Sequence, residues 1–331
     1  MPFKVCTPSF VIWLITARCN LDCKHCYVKD RDWSKELSKK ESLKLVDILA
    51  SHGVRALNIT GGEPLLRKDL FEIIDRAIEY DIEVSMFSNL ILLNEKIARE
   101  LARRDIGVFT SIDGARPEVH DTIRGRGTWH RVIEGIRLLK LLGVDVYTSF
   151  AVSKYNYFDT GGYARLAVDL DADYISIIPV IPSTPRAKNA MPEPYQVYRA
   201  VVEFENSLSE LGAYGSVWCA PFAHLYTRGY VRVGLCPAFS TLDISPDGSI
   251  LLCDTLDIKI GNVLQEDFMD VLLKYQENPL ERAPPIPKAC SDCPLEEQCG
   301  GGCLARRILT GKLKSPDPLC IKAVAQADKV L

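Results

Sequence analysis

The stretch ITARCNLDCKHCYV, residues 15–28, sets three cysteines at 19, 23 and 26 directly behind an apolar run, Phe10 to Thr16, that reads as a buried strand. The spacing Cys19-x3-Cys23-x2-Cys26 thus falls in the loop after a strand, where strand-helix proteins keep their functional residues. Structural zinc takes four ligands, usually from two paired motifs, so the triplet is one short unless His25 or a distant residue completes it. An iron–sulfur cluster on three thiolates leaves one iron open to a substrate or cofactor. A disulfide and a buried thiol are the remaining readings.

Working outward, strand and helix alternate. Ser38-Lys39-Lys40-Glu41 is a capping box that opens a helix running to His52 and stopping at Gly53. Strands are expected at Ala56–Thr60, Glu83–Ser88, Val108–Asp113, Asp145–Val152 and Tyr174–Pro179, with helices between them. Thr128 is expected to cap the helix that ends near Gly143. Six strand-helix units in series imply parallel strands with right-handed crossovers, hence an open α/β sheet or a partial barrel. Five prolines between Pro179 and Pro194 argue for an extended linker or rim segment and against a seventh regular unit. A helix follows at about Tyr195–Leu211, then a loop-rich tail from about residue 213.

At 331 residues, the chain has material for about two domains. With 47% apolar and 25% charged residues it is a globular chain, and its net charge of −3 offers nucleic acid no footprint. No apolar run reaches the ~18 residues of a membrane span. Only Lys4 precedes the apolar Phe10–Ala17 run and no small-residue cleavage site follows, so a cytoplasmic location is expected. Twelve cysteines in such a chain point to metal more than to disulfides, although hyperthermophile proteins are an exception.

The triplet with aromatic Tyr27 behind it resembles the radical S-adenosylmethionine (SAM) superfamily. NITGGEP, residues 58–64, agrees: in that family Gly61, Gly62 and Glu63 would hold the SAM amino group, Glu63 offering a carboxylate to an ammonium. Taken alone, the two glycines make a tight turn. Ser88 and Asn89, and Ser111 and Asp113, are similar to positions that touch the ribose and methionine parts of SAM; Arg124 resembles an arginine that pairs with its carboxylate. Capping, turn and surface roles account for the same residues without a ligand. The resemblance implies a partial (β/α)6 TIM-like barrel whose reduced cluster cleaves SAM to methionine and a 5′-deoxyadenosyl radical. That radical takes hydrogen from an unactivated carbon.

The tail reads Cys236-x11-Gly248-x4-Cys253, then Cys290-x2-Cys293-x5-Cys299-x3-Cys303, then Cys320. This pattern resembles the SPASM domain, a small loop-rich module with two auxiliary iron–sulfur clusters. By that resemblance Cys290, Cys293, Cys299 and Cys320 hold an outer cluster, and Cys236, Cys253 and Cys303 an inner one, three 4Fe-4S clusters in all. Two auxiliary clusters need eight thiols and the pattern has seven: either Cys219, the nearest upstream cysteine, is the eighth ligand and not a buried thiol, or the inner cluster has an open iron. Cys6 fits nothing and is read as structural. Asp254 follows Cys253 where sulfatase-maturing relatives are proposed to use an aspartate as general base. Arg306, Arg307, Lys312 and Lys314 read as a solvated basic face or a guide for an acidic peptide.

The resulting expectation is a radical SAM barrel over residues 1–192, a helical connection over 193–212 and a SPASM domain over 213–331. The expected activity is oxidation of a peptide or protein side chain, with ferredoxin or flavodoxin as electron donor and no nucleic-acid or membrane partner. A strand starting at about residue 10 leaves no room for the small N-terminal peptide-recognition domain of many relatives, which keeps a small-molecule substrate such as a tetrapyrrole or cofactor precursor in view. A non-catalytic iron–sulfur or zinc protein would leave Gly61-Gly62-Glu63 without a purpose.

Overall fold

The computed structural model describes residues 7–33, 35–236, 241–282 and 285–322, so Cys6 lies outside the described residues. In chain order the first elements are β1 (Phe10–Thr16), α1 (Lys39–Ser51), β2 (Ala56–Gly61), α2 (Leu70–Ile78), β3 (Glu83–Phe87), α3 (Glu95–Arg103) and β4 (Gly107–Ser111). Next come α4 (Pro117–Arg124), α5 (Thr128–Leu141), β5 (Val146–Val152), α6 (Thr160–Asp169), β6 (Tyr174–Pro179), α7 (Pro185–Ala190), α8 (Pro194–Leu211), β7 (Gly215–Val217) and β8 (Val231–Val233). The tail holds β9 (Thr241–Ile244), β10 (Ser249–Leu251), β11 (Lys259–Asn262), α9 (Phe268–Glu277), α10 (Pro279–Arg282), α11 (Glu296–Cys299) and α12 (Leu304–Leu309). The architecture is α/β, a mostly parallel sheet of partial TIM-barrel type.

Two compact units, each built from separate stretches, divide the chain. The first comprises residues 1–20, 28–109 and 237–283. Its strands run in the order β11-β10-β9-β1-β2-β3-β4. β1 is parallel to β2 with Phe10 opposite Ala56, and the register slips between Leu14 and Thr16, where the strand leaves the sheet towards Cys19. β9 adds in parallel to the other edge of β1 and folds back through β10 and β11 as antiparallel strands. Apolar residues fill this core because the strands are covered on both faces: Val11, Trp13, Leu14 and Ile15 of β1 are all fully buried. The capping box forms as expected, Ser38 accepting from Glu41 N while the Glu41 carboxylate accepts from Ser38 N.

The second unit comprises residues 21–27, 110–236 and 284–331. Here β5, β6, β7 and β8 follow one another, all parallel. Three expectations are corrected. The proline-rich run is not extended throughout: it carries α7, with Pro185 at the first helical position and the Thr184 hydroxyl accepting from Ala187 N. Parallel order continues past six strands, because β7 and β8 add beyond α8; three-residue strands leave too little periodicity to detect. Thr128 begins α5 but does not cap it; the Asp121 carboxylate accepts from Gly127 N at 2.6 Å and Trp129 N at 2.9 Å. The tail is also less irregular than its composition implies, with α9 capped by Asp267.

Candidate functional site

In the first unit the loop after β2 lies on the segment that delivers Cys19. Gly62 N donates to Thr16 O at 2.7 Å and Glu63 N to Arg18 O at 2.8 Å. A Cβ on Gly61 would stand 2.2 Å from Thr16 O and one on Gly62 2.1 Å from Arg18 O, so only glycine lets the two backbones meet. The Glu63 carboxylate is fully buried. Its Oε1 accepts from Leu65 N and the Ser88 hydroxyl, and its Oε2 from Asn89 N at 2.7 Å. Burial pushes this carboxyl up to about 7, although the three hydrogen bonds favour the charged form. The Asn89 amide donates to Asn20 Oδ1 at 2.8 Å and lies 3.8 Å from Cys19 Sγ. Cys19, Gly61, Gly62, Glu63, Ser88 and Asn89 are thereby tied together at the carboxyl ends of β1, β2 and β3.

In the second unit Cys23, Cys26 and Tyr27 sit on a short turn, with Cys26 N donating to Cys23 O. Cys23 and His25 are buried, while Cys26 and Tyr27 are half-buried. The turn is held from three directions. Lys24 N donates to Ile123 O at the end of α4. The Thr184 hydroxyl donates to Cys26 O at 2.7 Å, and Arg186 reaches the Asp22 carboxylate and Cys23 O. His25 Nε2 meets Asp113 Oδ2 at 2.6 Å.

Asp113 is a buried hub. Its carboxylate also accepts from Ala151 N at 2.8 Å and from Arg124 Nε at 2.5 Å, while its own N–H donates to His120 Nδ1. Burial alone would raise the Asp113 carboxyl, but the charges of Arg124 and His25 beside it hold it well below the usual carboxylate range. Burial and the Arg124 charge lower His120 to about 4, which keeps it neutral. Ser111 is half-buried at the end of β4. No local pattern marks His25, His120, Thr184 or Arg186 as anchors; His25 and Asp113 are 88 residues apart.

Among the described residues no cysteine is joined in a disulfide. In the second unit Cys290, Cys293, Cys299 and Cys320 line one pocket with apolar neighbours Phe222, Leu225 and Pro316. Burial and the neighbouring Cys320 push the Cys299 thiol up to about 12, and burial with Cys320 and Cys293 also raises Cys290. Metal binds cysteine as the thiolate, so a metal here would release these protons on binding. Tetrahedral zinc, with Zn–S bonds of about 2.3 Å, would bring its sulfurs to about 3.8 Å from one another. Among the described residues the group of three whose ligand atoms all lie within 4.8 Å is Asp243, Cys253 and Asp254; four cysteines around one pocket are a ligand set that serves a four-iron cluster as well as zinc.

The inner set is placed as follows. Cys219, in the left-handed region at φ 53°, hydrogen-bonds Cys303. That bond, opposed by burial and aided by Arg306, lowers the Cys303 thiol to about 7. Cys236 is exposed and borders residues outside the described set. Cys253 belongs to the first unit, where burial and the charges of Asp254 and Asp243 raise its thiol. Asp254 N donates to Asp243 Oδ2 at 2.7 Å, and Asp254 O accepts from Arg31 Nη1 at 2.6 Å. The basic tail group is corrected in part: Lys312 and Lys314 are exposed, but Arg306 and Arg307 are fully buried and form no solvated face.

Among the described residues no helix is long and apolar enough to cross a membrane. A family model described as the radical SAM superfamily matches residues 13–165, and one described as an iron–sulfur cluster-binding domain matches residues 236–294. The chain is 30% identical to the mycofactocin maturase MftC of Mycobacterium ulcerans over 331 residues, 95% of this chain and 88% of that protein. It is 27% identical to the AdoMet-dependent heme synthase of Methanosarcina barkeri over 337 residues, 95% of this chain and 96% of that protein. The solved structure of anSMEcpe with bound AdoMet and Cp18Cys peptide superposes with a TM-score of 0.75 at 18% identity, covering 96% of each chain.

Proposed function

We propose that this chain, which belongs to the radical SAM superfamily, oxidises a side chain of a peptide or protein. The observation that carries the reading is the docking of the Gly61-Gly62-Glu63 loop onto the segment that delivers Cys19. Cys19, Cys23 and Cys26 would hold the cluster that, when reduced, cleaves SAM to methionine and a 5′-deoxyadenosyl radical. Cys290, Cys293, Cys299 and Cys320 would hold one auxiliary cluster, and Cys236, Cys253 and Cys303 with Cys219 the other. A ferredoxin- or flavodoxin-type donor and a cytoplasmic location complete the reading. A peptide substrate is supported by the maturase relative and by the peptide bound to anSMEcpe. The likeness to a heme synthase over nearly its whole length favours a tetrapyrrole as the second reading.

Two side chains have distinct tasks in this reading. Glu63 takes the SAM ammonium in its ionised form, and its carboxyl titrates at about 7. Raising the pH from 6 to 7 therefore increases the ionised fraction and tightens SAM binding about fivefold. Calorimetry on the reconstituted protein checks this; Glu63→Gln should flatten the profile, and an unchanged slope in that variant would remove the assignment. Asp254 accepts the proton released when the substrate radical loses its electron. Asp254→Asn should keep cleaving SAM while product falls about 10²-fold or more. Equal product yield from the two proteins, measured by mass spectrometry of a candidate substrate peptide, would take Asp254 out of the chemistry.

A further inference from the structure

Arg307 is fully buried, yet no carboxylate forms an ion pair with it among the described residues. Its guanidinium donates to three main-chain carbonyls, those of Gly300, Pro285 and Leu313, and its Nε has no partner. Its neighbour Arg306 differs. That side chain, also fully buried, contacts the Asp317 carboxylate at 2.5 Å, and Asp317 in turn accepts from Cys303 N. Asp317 thus pairs with Arg306, and among the described residues Arg307 has no carboxylate within ion-pair distance.

A buried, unpaired charge costs several kcal/mol, and carbonyl dipoles offset only part of that. The fold therefore points to an anion beside Arg307 that is not an amino-acid carboxylate. The adjoining pocket supplies the means. Gly300, whose carbonyl accepts from Arg307 Nη1, directly follows Cys299. Gly301 lines the same pocket as Cys290, Cys293, Cys299 and Cys320, and a Cβ there would stand 3.1 Å from Arg307 Nη1. Burial lowers the Arg307 pKa, and the side chains opposing it are Cys290, Asp317, Cys299 and Cys303. Four thiolates outweigh the positive charge of a four-iron core, so a cluster in this pocket is a net anion.

We propose that Arg307 is the resident counter-charge of the cluster held by Cys290, Cys293, Cys299 and Cys320, and that it raises that cluster's reduction potential. This rests on the cluster assignment proposed above. Reduction adds negative charge, which a nearby fixed cation favours, so a cluster with Arg307 beside it accepts an electron more readily than the same cluster without it. That suits an acceptor for the electron removed from a substrate radical.

The test is a redox titration followed by electron paramagnetic resonance on full-length protein reconstituted anaerobically, comparing wild type, Arg307→Met and Arg307→Lys. In Arg307→Met one cluster should become about tenfold harder to reduce, 59 mV lower for one electron, with the others unmoved. Arg307→Lys keeps the charge but not the carbonyl clamp, and should stay near wild type. A loaded cluster in Arg307→Met with an unchanged or higher potential overturns the proposal, as does a Lys shift as large as the Met shift. Loss of the cluster from Arg307→Met alone supports a charge requirement, whereas loss from both variants makes Arg307 a carbonyl clamp and also overturns it. Wild-type protein without iron at these cysteines would mean instead that the cluster assignment had failed, and iron analysis shows that before any potential is measured.

Discussion

Cys23→Ala protein, reconstituted anaerobically and incubated with dithionite and SAM, yields no 5′-deoxyadenosine above background. Cys23 is one of only three thiols in the run 19–26, and His25 beside it is engaged with buried Asp113. Removing a partner merely outside the metal shell commonly costs 10–100-fold, so removing a direct ligand should exceed about a hundredfold. The fold should survive. Cys23 is buried, but its turn is anchored through main-chain groups, Cys23 O to Arg186 and Cys26 O to Thr184, which the substitution leaves in place. Chromatographic detection of the nucleoside checks the result, and wild-type-like production would mean that these cysteines do not carry the chemistry.

The second large effect is expected at Gly62. An alanine methyl there meets Arg18 O at 2.1 Å and Arg18 C at 2.6 Å, both backbone atoms that no rotamer change can move aside. Overpacking of this kind costs up to about 3 kcal/mol, which lowers the melting midpoint of a chain this long by about 4 °C. The displaced segment is the one leading to Cys19, so iron at the triplet should fall as well. Gly53→Ala is the control: its φ of 84° strains an alanine, yet nothing stands within 4 Å of the new methyl. That substitution should cost only about 1–2 kcal/mol and leave the iron content intact. Scanning calorimetry and iron analysis on both variants separate the two effects. Equal losses would mean that the close approach at Gly62 plays no part.

What the sequence revealed was local, and what it hid was long-range. The six strands from β1 to β6 were legible because each is an apolar run closed by a turn signal, and Ser38 with Glu41 formed the expected capping box. The cysteine spacings and NITGGEP were legible for the same reason, since each motif is complete within a few residues. β7 and β8 were not, because three residues carry no period. The expectation for Arg306 and Arg307 failed because charge composition favours a surface reading. Their burial depends on Asp317 and on carbonyls at residues 285, 300 and 313, supplied by loops that no periodicity links to α12. Asp113 makes the same point. Its carboxylate is held by His25, Arg124 and Ala151, partners between 11 and 88 residues away that no local pattern announces.

The central claim is that three sets of cysteines in this chain hold iron–sulfur clusters and that one of them serves SAM cleavage. Metal and acid-labile sulfide analysis of the wild-type protein after anaerobic reconstitution tests it most directly. Three four-iron clusters require about 12 irons per chain with a similar amount of sulfide. Stoichiometric zinc with fewer than about four irons per chain would contradict the account, because no site would then remain at which SAM could be cleaved.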